Sequence, residues 1–167
     1  MAEAEGFVPG DALRNVDILY VDDDSARRDQ MRRTLMSLGA RRVHLAESGA
    51  EGLKVVLGTP CGIVLVEQKM RAMDGISFIR ELRVASNYPR ALVPALILGE
   101  PASTEVIRSA FAAGANHFLV KPISPEKLYE RIGWAIGDER AWVVRDGHYV
   151  QRPPKAPAAK PQVATAK

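Results

Sequence analysis

Cysteine is nearly absent: Cys61 stands alone among 167 residues, which excludes an internal disulfide and any multi-cysteine zinc cluster. The histidines His44, His117 and His148 have no metal-like spacing and read as structural or exposed residues. Also missing is any apolar run near the roughly 18 residues that cross a bilayer. The first residues, MAEAEGFVPGDALRN, lack the basic start and apolar stretch of an export signal. Membrane insertion and secretion are not expected, and a reducing cytoplasm is the expected compartment. Net charge is scarce too. The total is +3, but residues 1–137 carry 17 Lys+Arg against 17 Asp+Glu, and the whole excess, 6 against 3, falls in residues 138–167. Nucleic acid is therefore not an expected partner.

What is present suits one globular domain: 47% of residues are hydrophobic and 26% charged. Short apolar runs alternate with amphipathic segments. Residues 17–21, 43–46, 63–66, 95–98 and 117–120 read as strands, and their continuous apolar character is what a parallel strand buried on both faces requires. Between them, residues 25–38 put Met31, Leu35 and Leu38 on one helical face and stop at Gly39. Ser48-Gly49-Ala50-Glu51 is a capping-box pattern opening a second helix that ends near Gly58. Asp74, expected as a cap, precedes the apolar face Ile76, Ile79, Leu82 and Ala85. Residues 104–113 turn Ile107, Ala110 and Phe111 inward and stop at Gly114. Ser124-Pro125 starts a fifth helix with Leu128, Ile132 and Ile136 stepping at four.

Five βα units with right-handed crossovers predict an α/β fold, a doubly wound parallel sheet of five strands flanked by five helices. In such sheets the site lies beyond the carboxyl ends of the strands. Those ends carry Asp22-Asp23-Asp24, Glu67-Gln68-Lys69-Met70, Gly99-Glu100 and Lys121-Pro122. Asp24 is expected as a helix cap rather than a ligand.

Val21-Asp22-Asp23, Met73-Asp74-Gly75, Ala113-Gly114-Ala115 and Lys121-Pro122, in this order and spacing, resemble the receiver domain of two-component response regulators, a flavodoxin-like fold. The resemblance implies the strand order 2-1-3-4-5 and a division into an N-terminal arm (1–14), receiver domain (15–137), C-terminal extension (138–152) and disordered Pro/Ala/Lys tail (153–167). In that family an Asp ending strand three takes a phosphoryl group from a histidine kinase and an acid pair binds magnesium. A Ser/Thr after strand four and the Lys before Pro contact the phosphoryl group. Counted onto this chain, the phosphoacceptor position is Glu67, the acid pair Asp22 and Asp23, the lysine Lys121, the Ser/Thr position Gly99 and the aromatic switch position Phe118. Arg71 stands where the family usually has Pro.

These departures predict a damaged site. Glutamate's extra methylene moves its oxygens by roughly 1.5 Å, and misplacement of that order can cost about 100-fold in rate. The same methylene pushes the charge toward Lys121, a partial mimic of a phosphorylated state. The expectation is an atypical, non-enzymatic single-domain response regulator, or pseudo-receiver, in two-component phosphorelay signal transduction, working as a phosphorylation-independent protein–protein interaction module. Its partners would be signalling proteins such as a kinase, a flagellar or regulatory protein, or another two-component component. No cofactor is certain; Asp22, Asp23 and Glu67 would hold magnesium weakly, because Lys121 competes for Glu67. Expected partner-binding residues are Phe118, Tyr129 and Trp142, near Arg108 and Lys127, with Trp142 and Tyr149 among Arg140, Arg145 and Arg152 enlarging the docking face. Two other readings stay open. One is a receiver-like effector binding a cyclic dinucleotide through arginines such as Arg27, Arg28, Arg32, Arg33, Arg41 and Arg42. The other is a conventional phospho-switch that tolerates Glu67. Asp24 with Arg28 and Asp29 with Arg33, each four apart, otherwise read as pairs on a solvated helix face.

Overall fold

The computed structural model describes residues 7–152. The disorder expected over 153–167, and the first six residues of the expected arm, lie outside the described residues. Five parallel strands, β1 (Asp17–Val21), β2 (Arg42–Ala46), β3 (Ile63–Glu67), β4 (Ala95–Gly99) and β5 (His117–Val120), form one sheet in the order β2-β1-β3-β4-β5. Side chains alternate across it with the period of two that a strand imposes. Ile18, Tyr20, Ile63, Leu65, Leu96 and Leu98 share a core with α1 (Ser25–Ser37) and α5 (Pro125–Ile136). Leu19, Val21, Val64, Val66, Ala95 and Ile97 face α2 (Gly49–Gly58), α3 (Gly75–Leu82) and α4 (Thr104–Ala113). Burial on both faces is why the runs are apolar throughout and why a doubly wound sheet results.

Helix starts follow side-chain capping. Asp24 accepts from the Arg27 N–H, Ser48 from Glu51, Asp74 from Ser77, Ser103 from Val106 and Ser124 from Lys127. Two expected faces need correction. Phe111 on α4 and Ile136 on α5 are exposed, while Ala113 and Ala135 are buried in their places. Phe78, fully buried, joins the α3 face.

The extension forms a β-hairpin, β6 (Trp142–Arg145) with β7 (His148–Gln151), joined by Asp146 and Gly147 at φ 49° and 79°. Two consecutive positive-φ residues make the tight turn whose twist matches the strands it joins, and Asp-Gly is a favoured pair for it. The hairpin lies against the amino-terminal end of the sheet. There the wholly buried Arg83, just past α3, donates to the carbonyls of Gly114, Ala91 and Val93 and to the Asn116 amide oxygen. The Trp142 ring covers the guanidinium at 4.4 Å, and the Tyr149 N–H donates to the Arg83 carbonyl at 2.7 Å. Burial pulls the Arg83 guanidinium down to about 9.

Candidate functional site

Strand parity assembles the site. Tyr20 pairs in register with Leu65 and Val21 with Val66, so Asp22, next in the chain, is level with Glu67. Tyr20 and Glu67 are both two-residue steps along their strands from members of the α1/α5 core, and they project to that side. Lys121, directly after β5, reaches the same cleft, a cavity of about 620 Å³ also lined by Arg27, Thr34 and Pro122.

Glu67, 4% exposed, accepts from the Lys121 ammonium at 2.6 Å through one oxygen. Its other oxygen lies 2.9 Å from the Tyr20 hydroxyl, which is also 2.7 Å from Asp22. Burial holds the Glu67 carboxyl above its ordinary value even against Lys121. Burial, then the neighbouring Glu67 and Asp22, pushes the Tyr20 phenol far upward, so it is a hydroxyl donor throughout the neutral range. Its one phenolic hydrogen faces two acceptors and serves only one of them at a time.

Asp22 is fully buried and accepts at both oxygens from the Arg27 guanidinium, at 2.7 and 2.8 Å. The Asp24 N–H donates to one of those oxygens at 2.9 Å and Tyr20 to the other. Burial alone would raise the Asp22 carboxyl; the bonds from Arg27, Tyr20 and Asp24 outweigh it and hold the group below its ordinary value. Asp23 accepts from the Arg71 backbone N–H at 2.8 Å and from its side chain at 3.4 Å. A proline at position 71 could not make the first of these bonds.

The space at Gly99 is closed. A Cβ there would meet the Phe118 ring at 3.0 Å and the Gln68 Cβ at 3.2 Å. Gly75 is pressed as hard, since a Cβ there would sit 2.7 Å from the Glu67 carbonyl oxygen, and Gln68 helps fix this junction by accepting from the Ile76 N–H at 3.1 Å.

Glu67 thus meets Lys121 directly and Asp22 through the Tyr20 hydroxyl, while Asp23 turns to Arg71 and Gly99 is buried against the Phe118 ring. The expected magnesium set of Asp22, Asp23 and Glu67 is not gathered: among the described residues no group of three or more His, Cys, Asp or Glu could hold a metal ion. The reason is that Asp22 and Asp23 already accept from arginines and Glu67 from Lys121. The expected partner-binding trio is also dispersed. Phe118 packs on the α2–α4 side, Tyr129 packs on the α1/α5 side against Phe7 at 5.4 Å, and Trp142 is taken up by Arg83. Of the candidate phosphate-binding arginines, Arg27 and Arg28 are spent on Asp22 and Arg42 on Asp17, while Arg32, Arg33 and Arg41 are exposed. The expected Asp24–Arg28 pair is replaced by Arg28 donating to the Asp22 carbonyl.

Tyr20 is a site residue that sequence reasoning missed, and Arg27, expected only as a phosphate-binding arginine or on a solvated helix face, enters the site through Asp22. The signal for Tyr20 was a hydroxyl two residues before Asp22 in an otherwise apolar strand. For Arg27 it was a cation in the first turn of α1, where the helix dipole opposes it and no acid accompanies it.

Comparison with known proteins agrees with this geometry. The response regulator receiver domain family matches residues 18–133, and the chain belongs to that family. It is a CheY-like receiver domain of two-component signalling. It is 30% identical over 122 residues to the probable chemotaxis protein CheY of Rhizobium etli, covering 73% of this chain and 93% of that one. The solved chemotaxis protein CheY4 of Vibrio cholerae superposes with a TM-score of 0.66 at 29% identity, over 72% of this chain and 98% of that one. The receiver domain of the sensor histidine kinase PA1611 of Pseudomonas aeruginosa, solved with magnesium coordinated in its active-site cleft, gives 0.65 at 25% identity, over 74% and 98%. Receivers are typically signalling modules rather than enzymes, and no helix among the described residues is long and apolar enough to cross a membrane.

Proposed function

We propose that this receiver is a phosphorylation-independent protein-interaction module in two-component signalling, acting in the cytoplasm. The observation that carries this reading is the 2.6 Å pair between Glu67, at the phosphoacceptor-equivalent position, and Lys121. In a phospho-switch the lysine is the group that a new phosphoryl oxygen recruits. Here a resident carboxylate already holds it, Tyr20 holds that carboxylate's other oxygen, and Phe118 packs over Gly99, where the hydroxyl contact would stand. A constitutive conformation follows, which partners recognise without a phosphoryl group.

The partner surface we assign is the edge around β5, where Phe111, Val120 and Trp134 are exposed, rather than Trp142. Its occupants would be signalling proteins of the two-component type, such as a kinase or regulatory protein.

The test is labelling with acetyl phosphate. The wild type is expected to take up no phosphate, Glu67→Asp little, and Glu67→Asp with Gly99→Thr more, provided the Phe118 ring swings out. Stoichiometric, hydroxylamine-sensitive phosphate on wild-type Glu67 would overturn the reading.

A further inference from the structure

A carboxylate offers about four lone-pair positions, two on each oxygen. At Asp22 three are filled by N–H donors, one oxygen accepting from Asp24 N–H and Arg27 Nη2 and the other from Arg27 Nε, and the fourth faces the Tyr20 hydroxyl at 2.7 Å, which Asp22 shares with Glu67. Asp23 is engaged separately by Arg71 through its backbone N–H at 2.8 Å and its Nε at 3.4 Å, and the Arg27 Nη2 lies 3.8 Å from its remaining oxygen. The guanidinium is therefore bound to one acid of the pair and lies beside the other, as a divalent ion shared between two carboxylates would.

Two features make this arrangement more than a surface ion pair. Asp22 is fully buried, so its charge requires a counter-charge at all times, whereas Arg27 is 44% exposed along its side chain and reaches in from solvent. Arg27 also stands in the first turn of α1, where the helix dipole disfavours a cation by some tenths of a kcal/mol, so its place is set by the acids in front of it. The related receiver of PA1611 holds magnesium in its cleft. This chain's cleft holds a cation of its own.

We propose that the Arg27 guanidinium is a built-in replacement for the divalent cation of the cleft, seated on Asp22 and facing Asp23, so that the acid pair binds no magnesium until Arg27 is removed. The exchange is reciprocal. A hard cation needs free carboxylate oxygens, which Arg27 withholds, and loss of Arg27 leaves Asp22 buried with two acceptor positions open and a charge unmatched. This inference is independent of whether the module signals without phosphorylation, because metal binding is measured with no phosphodonor present.

The experiment measures the full chain's melting temperature with and without about 10 mM magnesium, together with manganese binding followed by electron paramagnetic resonance. Wild type is expected to show no magnesium-dependent shift and no bound manganese. Arg27→Ala should melt lower without metal, rise by on the order of 3 °C with magnesium, and bind manganese, and Asp23→Ala in that background should abolish both gains. Arg27→Gln, which keeps most of the side-chain volume, should behave in the same direction. Manganese bound by the wild type, or folded Arg27→Ala and Arg27→Gln proteins that bind none, would overturn the proposal. If neither variant folds in metal-free buffer, recovery of the folded state on adding magnesium supports it, and failure to recover overturns it.

Discussion

Arg27 and Arg83 occupy opposite ends of the same sheet and are held by opposite means. At the carboxyl end Arg27 is partly exposed and its partner is a carboxylate, Asp22. At the amino end Arg83 is fully buried, and among the described residues it meets carbonyls, an amide oxygen and the Trp142 ring but no carboxylate. A charge matched by a charge can be exchanged for another ion, since the carboxylate's need is electrostatic. One matched by main-chain carbonyls cannot, because its donors also complete the backbone of two segments, at Ala91 and Val93 before β4 and at Gly114 after α4. The first arrangement suits a site, whereas the second suits a fastening for the hairpin.

The largest effect is expected from Arg83→Ala. It strips donors from the carbonyls of Gly114, Ala91 and Val93, each worth about 1–3 kcal/mol when left buried and unpaired, while the Asn116 oxygen keeps the Ala95 N–H at 2.9 Å. A loss of about 4 kcal/mol or more in urea unfolding, or failure to fold, is expected. Arg83→Lys should recover little, because an ammonium cannot spread its donors as a guanidinium does. A loss under about 1 kcal/mol would remove the contrast between the two ends.

Trp142→Ala comes next, at about 2 kcal/mol, from lost ring area and lost cation–π contact. Its lowered melting temperature should be accompanied by unchanged partner capture, which would separate a fastening from a docking residue. Retained stability with lost capture would restore the docking role expected from sequence. Smaller again is Gly99→Ala, which brings a Cβ to 3.0 Å from the Phe118 ring and should cost about 1 kcal/mol. Combined with Phe118→Leu, the two changes should cost less than the sum of the single variants, as expected for neighbours sharing one space.

The sheet was legible from sequence because its strands are buried on both faces: β1 and β5 span the residues expected, and the others extend by a single residue at one end. Caps at Asp24, Ser48, Asp74 and Ser124 were legible because capping is local chemistry within three residues. The meeting of Asp22, Glu67 and Lys121 could be expected only through family spacing, since no local rule joins positions 45 or more apart. Arg27, Arg71 and Arg83 were illegible for a different reason. An arginine in a sequence carries no mark of whether it faces water, a carboxylate or a carbonyl, and here the answer depends on elements far along the chain. The hairpin had a local signal, Asp146-Gly147 between Trp142–Arg145 and His148–Gln151, which the short apolar content of those strands obscured.

The smallest expected effect contrasts one acid from each end. At the carboxyl end Glu67 is held above its ordinary 4.5 by burial, so the native state binds its proton more readily than the unfolded chain. Stability should therefore fall as pH rises from 4.5 through the native value. At the amino end Asp138 is held well below its ordinary 3.8 by hydrogen bonds from Arg140, which outweigh burial. Its contribution is present above 3.8 and is lost as pH falls toward the native value. Urea unfolding across this range, on wild type, Glu67→Gln and Asp138→Asn, reads the two slopes separately. Glu67→Gln should close its stability gap to wild type as pH rises above 4.5. Asp138→Asn should instead widen its gap as pH rises through the acid range toward 3.8 and hold it constant above. Parallel profiles for wild type and Glu67→Gln would mean that Glu67 is ionised as easily folded as unfolded, and that Lys121 offsets the cost of burying its carboxyl in full.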